Sequence, residues 1–352
     1  MSPNMSSPVI ARESRIIGAL IGVHAGDSLG AAVEFKSHDQ IRRVYPDGLR
    51  EIVGGGIFSW TPGHATDDTD MTRGVLLAYR DAWHDLYRRR STTDQDVPAF
   101  SKQDITLRAG NYFVAWWKGT HWPGRQPNSR PRDIGYATNV GIQAFRRNPR
   151  KPSGAGHGSA GNGSLMRCLP TALFQPDLAS VLSNSVSIST ITHTDPRCTI
   201  ACAAYNACAA ALIDGADPDY AVRVGEAAAV QLEEAEGPVT AAIRAGRRFD
   251  LARAARDGPP EEFLPNLASG YVLETLLIAI AAVLDPRSLE DVLVDVVRIG
   301  KDTDTNGAVA GGLLGARHGE DAIPSRWKDV LQFGQEFREV ALEILRLMES
   351  ET

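Results

Sequence analysis

The chain has 352 residues, of which 43% are hydrophobic, and its 37 basic and 43 acidic residues give a formal net charge of -6. This length and composition suffice for a large globular domain with a buried core. The acidic balance excludes nucleic-acid binding through a general basic field, so we predict no nucleic-acid partner.

Cysteine spacing and apolar segments bear on the compartment. Four cysteines, at positions 168, 198, 202 and 208, form no Cys-x-x-Cys pair, so we predict free thiols in a reducing cytoplasm rather than disulfides or a zinc site. Residues 1–12 are polar and are predicted to form a flexible tail without an export signal. The longest apolar run, Tyr271–Leu284, is too short for a bilayer span. We therefore expect a cytoplasmic protein with no membrane partner.

Hydrophobic periodicity predicts helices along almost the whole chain. In chain order they are Arg15–Leu29, Asp70–Arg89, Ala109–Trp117, Asn139–Arg147, Pro170–Phe174, Thr199–Ile213, Tyr220–Ala235, Thr240–Arg256, Gly270–Leu284, Leu289–Arg298, Asn306–Arg317 and Arg326–Met348. Long loops rich in Gly, Pro and Ser at Gly48–Gly63, Thr120–Arg132 and Asn148–Gly163 are predicted to carry function. Because β-alternation and tandem repeats are absent from the sequence, we predict an all-α fold in a single domain over residues 13–352.

Two clusters of hydroxyl and carboxylate side chains are the strongest chemical signal. They are Thr66-Asp67-Asp68-Thr69 and Asp302-Thr303-Asp304-Thr305, and Gly26-Asp27 with Glu34 forms a third group upstream. Helix capping is the simpler interpretation of either cluster alone, because each stands directly before a helical pattern. Adjacent carboxylates repel one another and resist burial, so their recurrence favours a shared site in which a multivalent cation offsets the charge. Ligands that are all oxygen favour Mg²⁺, Mn²⁺ or Ca²⁺ over zinc.

The segment after the second cluster supports a shared site. Ala308–Gly315 is so rich in small side chains that its helix is predicted to pass close to another element. Asp302 and Asp304 can then face one centre from one side while Asp67 and Asp68 face it from the other. With waters and substrate oxygens added, such a set suits two octahedral ions.

A glycine-rich segment, Gly154–Arg167, is a candidate phosphate-binding loop. Its exposed backbone N–H groups can cradle a diphosphate. Glycine-rich loops are also often plain mobile connections, so the segment alone is a weak signal. A divalent metal site nearby strengthens it, because metals, phosphates and sugar hydroxyls often occur together.

Together these segments resemble the ADP-ribosylglycohydrolase family across nearly the whole chain. The segments that carry the resemblance occur in the family's order: Gly22-Val23-His24-Ala25-Gly26-Asp27-Ser28-Leu29-Gly30 with Glu34, Thr66-Asp67-Asp68-Thr69, Asp133-Ile134-Gly135, Gly161-Asn162-Gly163-Ser164-Leu165-Met166-Arg167, Thr192-His193-Thr194-Asp195-Pro196 and Asp302-Thr303-Asp304-Thr305. Each is weak alone, but six in order are a strong signal. The resemblance implies an orthogonal multi-helix bundle with a binuclear metal cleft, formed by a catalytic domain over residues 13–352.

The resemblance also implies roles for single residues. Two Mg²⁺ or Mn²⁺ ions would be held by Thr66, Asp67, Asp68, Asp302, Asp304 and Thr305. The candidates for the catalytic acid or base are Asp133 and Glu34. ADP-ribose would contact Ser159, Gly161, Asn162, Gly163 and His193, and Asp27 would orient ligands rather than bind metal.

Several of these residues have simpler interpretations. Asp133 could cap the following helix, Glu34 could be a surface residue, and His193 could be a turn residue. One departure from the family pattern is Ala160, which stands where some serine-directed relatives carry an aromatic residue. Adenine stacking must then come from elsewhere. Tryptophans 116, 117 and 122 are either a wall of the cleft or part of the core.

The resemblance of Asp133-Ile134-Gly135 to the arginine-directed branch of the family implies one activity, metal-dependent hydrolysis of the N-glycosidic bond between ADP-ribose and a protein arginine. The implied partners are an ADP-ribosylated protein as substrate and ADP-ribose as product. A second interpretation keeps the metal site but changes the linkage to serine-linked or O-acetyl ADP-ribose. A third, from another class, is a noncatalytic ADP-ribose binder or an immunity-type partner protein. The complete set of ligand matches argues against the third.

Overall fold

The computed structural model describes residues 10–92, 102–151, 153–260 and 268–350. These residues form sixteen α-helices, and among them β-bridges occur only in isolation, so the predicted all-α class is confirmed. The helices are α1 (Arg12–Gly30), α2 (His38–Val44), α3 (Asp67–Thr92), α4 (Lys102–Lys118), α5 (Tyr136–Arg147), α6 (Pro170–Leu173), α7 (Leu178–Ser189), α8 (Pro196–Ile213), α9 (Pro218–Glu233), α10 (Pro238–Gly246), α11 (Leu251–Asp257), α12 (Val272–Leu284), α13 (Leu289–Arg298), α14 (Thr303–His318), α15 (Ser325–Lys328) and α16 (Gly334–Glu349).

Two of the predicted helices are wrong, because each is broken in the structure. Predicted helix Thr240–Arg256 is two helices, since Asp250 caps α11 by accepting a hydrogen bond from the Arg253 N–H. The predicted Arg326–Met348 helix is also two, since the Gln332 N–H donates to the Gly63 carbonyl oxygen at 2.9 Å and turns the chain away. Both breaks are stabilised by polar contacts, which the spacing of hydrophobic residues in the sequence cannot predict.

Two helices were missing from the prediction. Ser37 begins α2 with a capping box, in which its side chain and that of Gln40 bond to each other's backbone N–H. Asp177 caps α7, whose core-facing residues alternate with serines that weaken the periodic signal. The remaining predicted helices are present, with ends that differ by up to seven residues.

The fold is centred on an antiparallel pair of helices, α1 and α14, that touch along their backbones. Glycines recur every fourth residue on α1, at 18, 22, 26 and 30, and on α14, at 307, 311 and 315. A Cβ on Gly22 would overlap the Gly311 carbonyl oxygen, and one on Gly26 would overlap that of Gly307. The close approach predicted for Ala308–Gly315 is therefore confirmed, and it brings the C-terminal end of α1 next to the start of α14.

The structure describes the C-terminal helix and only the last residues of the predicted N-terminal tail. Residues 1–9 of the predicted tail lie outside the described residues, and α1 already begins at Arg12. The C-terminal helix α16 packs on its own chain, against α1 and α3. None of the helices in the described ranges combines the length and apolar character that a membrane crossing requires.

Candidate metal centre and substrate cleft

A cleft of about 690 Å³ lies where the first residues of α3 and α14 meet the glycine-rich segment. The predicted site residues that line it are Glu34, Asp67, Asp133, Ser159, Gly161, Asn162, Gly163, His193, Asp302, Asp304 and Thr305. Thr66 and Asp68 are buried beside these residues. Segments more than 200 residues apart in sequence therefore converge on one place.

Asp68 connects the two acidic clusters. Its Oδ2 accepts hydrogen bonds from the hydroxyl of Thr66 at 3.2 Å and from that of Thr305 at 3.3 Å. Its other oxygen, Oδ1, is buried and has no hydrogen-bond partner among the described residues. A buried carboxylate oxygen without a partner costs free energy unless a cation binds it. The oxygen donors of this cluster therefore fit a hard divalent cation.

Asp27 orients the first cluster from α1. Its Oδ2 accepts hydrogen bonds from the backbone N–H of Thr66 at 3.1 Å, the N–H of Thr69 at 3.2 Å and the Thr69 hydroxyl. Asp27, together with the Thr66 hydroxyl oxygen that accepts from the Asp68 N–H at 3.4 Å, thus bonds N–H groups at the start of α3 without the carboxylates of Asp67 and Asp68. Capping does not explain why carboxylates stand at those two positions.

Asp302 is likewise not a side-chain cap of its own helix. It occupies the N-cap position of α14 without a side-chain capping bond. Its Oδ2 instead accepts a hydrogen bond at 2.6 Å from Nδ2 of Asn162, which also donates to the Thr275 hydroxyl at 2.9 Å. The amide of Asn162 therefore fixes the Asp302 carboxylate and links the glycine-rich segment to the second cluster.

A group of three carboxylates lies at the wall of the cleft. Glu34, Asp133 and Asp304 each place an oxygen within 4.8 Å of the other two, a spacing that suits a shared cation. Burial, strengthened by the neighbouring Asp133 charge, raises the pKa of Glu34 to about 9. Burial followed by repulsion from Asp302 raises the pKa of Asp133 to about 6. The pKa of Asp304 is also raised, by burial and then by Glu34 and Asp68.

The simpler interpretations of the two catalytic candidates are wrong. Glu34 is 5% exposed, so it is not a surface residue. The N-cap of α5 is Gly135, and no side chain caps that helix, so Asp133 is not its cap. Both carboxylates instead face the cleft, where desolvation and like charge favour proton exchange near neutral pH or above.

The glycine-rich segment is held in place by the start of α12. The Asn162 N–H donates to the Gly270 carbonyl oxygen, and the Val272 N–H donates to the Ala160 carbonyl oxygen, both at 3.0 Å. A Cβ on Gly163 would lie 2.8 Å from the Thr138 hydroxyl oxygen and 3.0 Å from Cε1 of His193. Only glycine therefore fits at position 163, and its backbone is exposed to the cleft.

His193 is buried and borders the cleft beside these glycines, and its N–H also donates to the Ser189 carbonyl oxygen at 2.8 Å, as expected of a turn residue. Burial and the nearby Arg167 lower its pKa to about 3. The ring is therefore neutral at physiological pH, where one nitrogen donates and the other accepts a hydrogen bond.

Of the two interpretations of the three tryptophans, placement in the core is confirmed and the wall of the cleft is not. The three tryptophans are buried, and none lines the 690 Å³ cleft. The indole N–H groups of Trp116 and Trp122 donate to the carboxylate of Asp70, at 2.8 and 2.7 Å. Asp70, two residues beyond Asp68, is thereby held by these indoles and does not line the 690 Å³ cleft.

Sequence reasoning missed several residues that line the cleft, among them Phe35, Tyr136 and Lys301. Phe35 and Tyr136 have side chains that are 61% and 79% exposed, and Lys301 adds a cation beside the carboxylates. The segments that carry Phe35 and Lys301 lie side by side, since the Phe35 N–H donates to the Lys301 carbonyl oxygen at 2.7 Å. Each is adjacent in sequence to a predicted site residue or segment, which was the available signal.

Comparisons with known proteins agree with this geometry. A protein 29% identical over 98% of both chains is the ADP-ribosyl-[dinitrogen reductase] glycohydrolase of Rhodospirillum rubrum. The ADP-ribosylarginine hydrolase Tri1 of Pseudomonas putida (strain GB-1) is 29% identical over 94% of this chain and 77% of its own length. A solved structure described as an ADP-ribosylglycohydrolase-related protein complex superposes with a TM-score of 0.72 at 25% identity, over 96% of this chain and 98% of that chain.

The family model described as ADP-ribosylglycohydrolase matches residues 8–352, which is nearly the whole sequence. Its name agrees with the activity named for both relatives, removal of ADP-ribose from a modified group. The chain therefore belongs to the ADP-ribosylglycohydrolase family of hydrolases.

Proposed function

We propose that this protein hydrolyses the N-glycosidic bond between ADP-ribose and an arginine side chain of a modified protein, in a metal-dependent reaction. The observation that carries the proposal is the position of Asp133, whose carboxylate lies within 4.8 Å of those of Glu34 and Asp304 at the cleft. A carboxylate there can pair with the guanidinium at the scissile bond. Two relatives that act on ADP-ribosylated groups, one of them named for arginine, support this choice.

Two Mg²⁺ or Mn²⁺ ions are the proposed cofactors. Thr66, Asp67 and Asp68 would hold them from the α3 side, and Asp302, Asp304 and Thr305 from the α14 side. Support comes from the all-oxygen donors, the unpartnered Oδ1 of Asp68 and the raised pKa of Asp67, which follows from burial and then from neighbouring carboxylates. When bound, such ions orient the ribose hydroxyls and polarise a water molecule.

The protein's own residues would handle the proton. Water adds its hydroxyl to C1'' of the ribose as the bond from C1'' to the guanidine nitrogen breaks, and that nitrogen takes up a proton. Asp133 is our candidate for this transfer because it lines the cleft beside Glu34 and Asp304, and its pKa of about 6 lies closer to neutral pH than that of Glu34. Glu34, whose pKa is about 9, would keep its proton and donate a hydrogen bond to the substrate.

The rest of ADP-ribose would bind along the glycine-rich segment. Backbone N–H groups around Ser159, Gly161 and Gly163 would face the diphosphate, with His193 as a neutral hydrogen-bond donor and Asn162 supporting Asp302 from below. Ala160 is buried and offers no ring to the adenine. The exposed ring of Tyr136, which lines the cleft, would supply that stacking surface.

The test is release of ADP-ribose from arginine-, serine- and acetyl-linked substrates with Mg²⁺, Mn²⁺ or a chelator. We expect metal-dependent release from the arginine linkage, abolished in Asp302→Ala and strongly reduced in Asp133→Asn. Release from serine or acetyl linkages alone would keep the metal site and overturn the arginine assignment. ADP-ribose binding without turnover of any substrate would favour a noncatalytic binder.

Two further expectations concern the surroundings of the reaction. We propose the cytoplasm as the compartment, since the four cysteines are all free and buried. We also propose that neither nucleic acid nor membrane takes part, in keeping with the net charge of -6.

A further inference from the structure

A second cavity, of about 210 Å³, adjoins the cleft at Asp133. It lies between the loop that contains Trp60 and His64 and the loop at residues 119–132. Asp67 and Asp133 line both cavities. A substrate whose scissile bond lies beside Asp133 can therefore have ADP-ribose in the cleft while the protein to which it is attached faces the second cavity.

The second cavity is bordered by three arginines, Arg125, Arg130 and Arg132, which we call the arginine rim. The loop at 119–132 that carries them contains no aspartate or glutamate. Within the described ranges, no carboxylate forms an ion pair with any of the three. Asp70, which lines the same cavity, attracts Arg125 electrostatically without a direct ion pair. The unpaired positive charge at the mouth of the cavity is therefore mainly that of the exposed Arg130 and Arg132.

The rim side chains are held by contacts with uncharged groups, namely aromatic rings and a backbone carbonyl. The guanidinium of Arg130 stacks 3.3 Å above the ring of Trp117, and that of Arg132 lies 5.9 Å from the ring of Trp60. Arg125 donates to the Ser129 carbonyl oxygen at 2.7 Å. Ordering long side chains on rings lowers the entropy that they lose when they bind an anion.

The charges on the two sides of Asp133 favour opposite groups. On the cleft side, the carboxylate of Asp133 suits the guanidinium of a modified arginine. The arginine rim repels that cation and attracts carboxylates. A protein segment that satisfies both sides has a modified arginine with acidic residues next to it in sequence.

We propose that the arginine rim is a recognition surface for aspartate or glutamate residues that flank the modified arginine in the substrate protein. The inference rests on the proposed function and adds the sequence context of its substrate. Rim contacts are exposed to solvent, so each contributes up to about fivefold to kcat/KM and is weakened by salt. Their main effect is on capture of the substrate protein.

The test compares two ADP-ribosylated arginine peptides of one length, with glutamate or with glutamine on either side of the arginine, and free ADP-ribosylarginine. We expect the parent protein with Mg²⁺ to prefer the glutamate peptide by about fivefold or more at low salt, and less at high salt. In the double variant Arg130→Gln, Arg132→Gln the ratio of the two peptides should fall towards one. Because the effect is a ratio on one enzyme, partial loss of folded protein does not affect it.

Arg12→Gln is the matched control. Arg12 is an exposed arginine at the opposite end of α1 from Asp27, about 20 Å or more away along the helix, and should keep the parent ratio. Equal rates for the two peptides in the parent, or an unchanged ratio in the double variant, would overturn the inference. No turnover of either peptide or of free ADP-ribosylarginine would instead overturn the proposed function, and this inference with it.

Discussion

Nη2 of the buried Arg167 donates a hydrogen bond to the Thr192 hydroxyl oxygen at 2.6 Å, and that oxygen lies 2.8 Å from Nδ1 of His193. A hydroxyl that accepts from arginine can still donate its own proton, so we predict that Nδ1 of His193 is the acceptor. The ring proton is then on Nε2, which faces Gly161 and Gly163. Arg167 thus positions His193 as an N–H donor to the cleft, although it lies outside the cleft itself.

Thr192→Val tests this relationship with little change in shape. The variant removes the proton donated to Nδ1, so we expect His193 to lose its preference for the Nε2–H form. KM for an ADP-ribosylated substrate should rise about three- to tenfold, the effect of one hydrogen bond. Nitrogen-15 NMR of the histidine ring reports the tautomer directly. Thr240→Val, at a buried threonine on α10, is the control, and an unchanged tautomer in Thr192→Val would contradict the assignment.

Asp68 and Asp70, on one turn of α3, are predicted to differ in metal binding. Asp68→Asn should lower Mn²⁺ affinity by about a hundredfold or more, because it removes a ligand charge. Asp70→Asn should keep most of the affinity but lower stability by about 1–3 kcal/mol, since two indole N–H groups lose a charged acceptor. Calorimetric titration with Mn²⁺ measures the affinity of each variant, and thermal unfolding measures its stability. Similar losses of affinity would mean that Asp70 also serves the metals.

The metal-free protein should become less stable as pH rises. In the unfolded chain, carboxyl groups titrate near pH 4. Burial raises the pKa of Asp133 to about 6, of Asp27 to about 7 and of Glu34 to about 9 in the folded protein. The folded state therefore keeps protons that the unfolded state releases, and the free energy of unfolding falls between about pH 4 and pH 9.

Bound Mg²⁺ should reverse much of this loss, so its effect on Tm should be larger near pH 8 than near pH 5. Thermal unfolding with chelator and with Mg²⁺ across this range gives both curves. A chelator curve that rises steadily with pH would show that these carboxyls do not dominate the stability of the metal-free state.

Gly26→Ala should destabilise the protein although alanine is the better helix former. On propensity alone the change favours an exposed helix by about 1 kcal/mol. The new Cβ would meet the Gly307 backbone and separate α1 from α14, and overpacking of this kind costs about 1–3 kcal/mol or more. Chemical denaturation measures the difference. An increase in stability would mean that the two helices are less tightly packed than described.

Tyr136→Ala should weaken substrate binding more than chemistry. If the exposed ring stacks on adenine, its loss costs about 1–3 kcal/mol, which appears mainly in KM. Tyr136→Phe keeps the ring and is the matched control. Steady-state kinetics on one ADP-ribosylated substrate decides the matter, and equal effects of the two variants would assign the role to the hydroxyl instead.

The sequence was sufficient for the parts of the site that have a local signature. Thr66 to Thr69 and Asp302 to Thr305 each place hydroxyls and carboxylates before a helix, a pattern that can be read within a few residues. The break at Arg247–Asp250 and the helix at His38–Val44 were not found, because a cap and a short amphipathic turn give a weaker signal than periodicity. Phe35 and Tyr136 were missed for a different reason: exposure of an aromatic ring in a cleft depends on the surrounding fold.

The sequence by itself determined the all-α class, the family resemblance and the chemical type of the ligands, since these depend on residue type and spacing. Only the tertiary structure decided which carboxylates lie at the cleft. Asp70 differs from Asp68 because two indole N–H groups donate to its carboxylate and hold it away from the cleft. Asp27, on α1, accepts a hydrogen bond from the start of α3, which lies in a different helix. Such outcomes depend on contacts between residues far apart in the chain, where burial and hydrogen-bond partners set the charge and direction of each group.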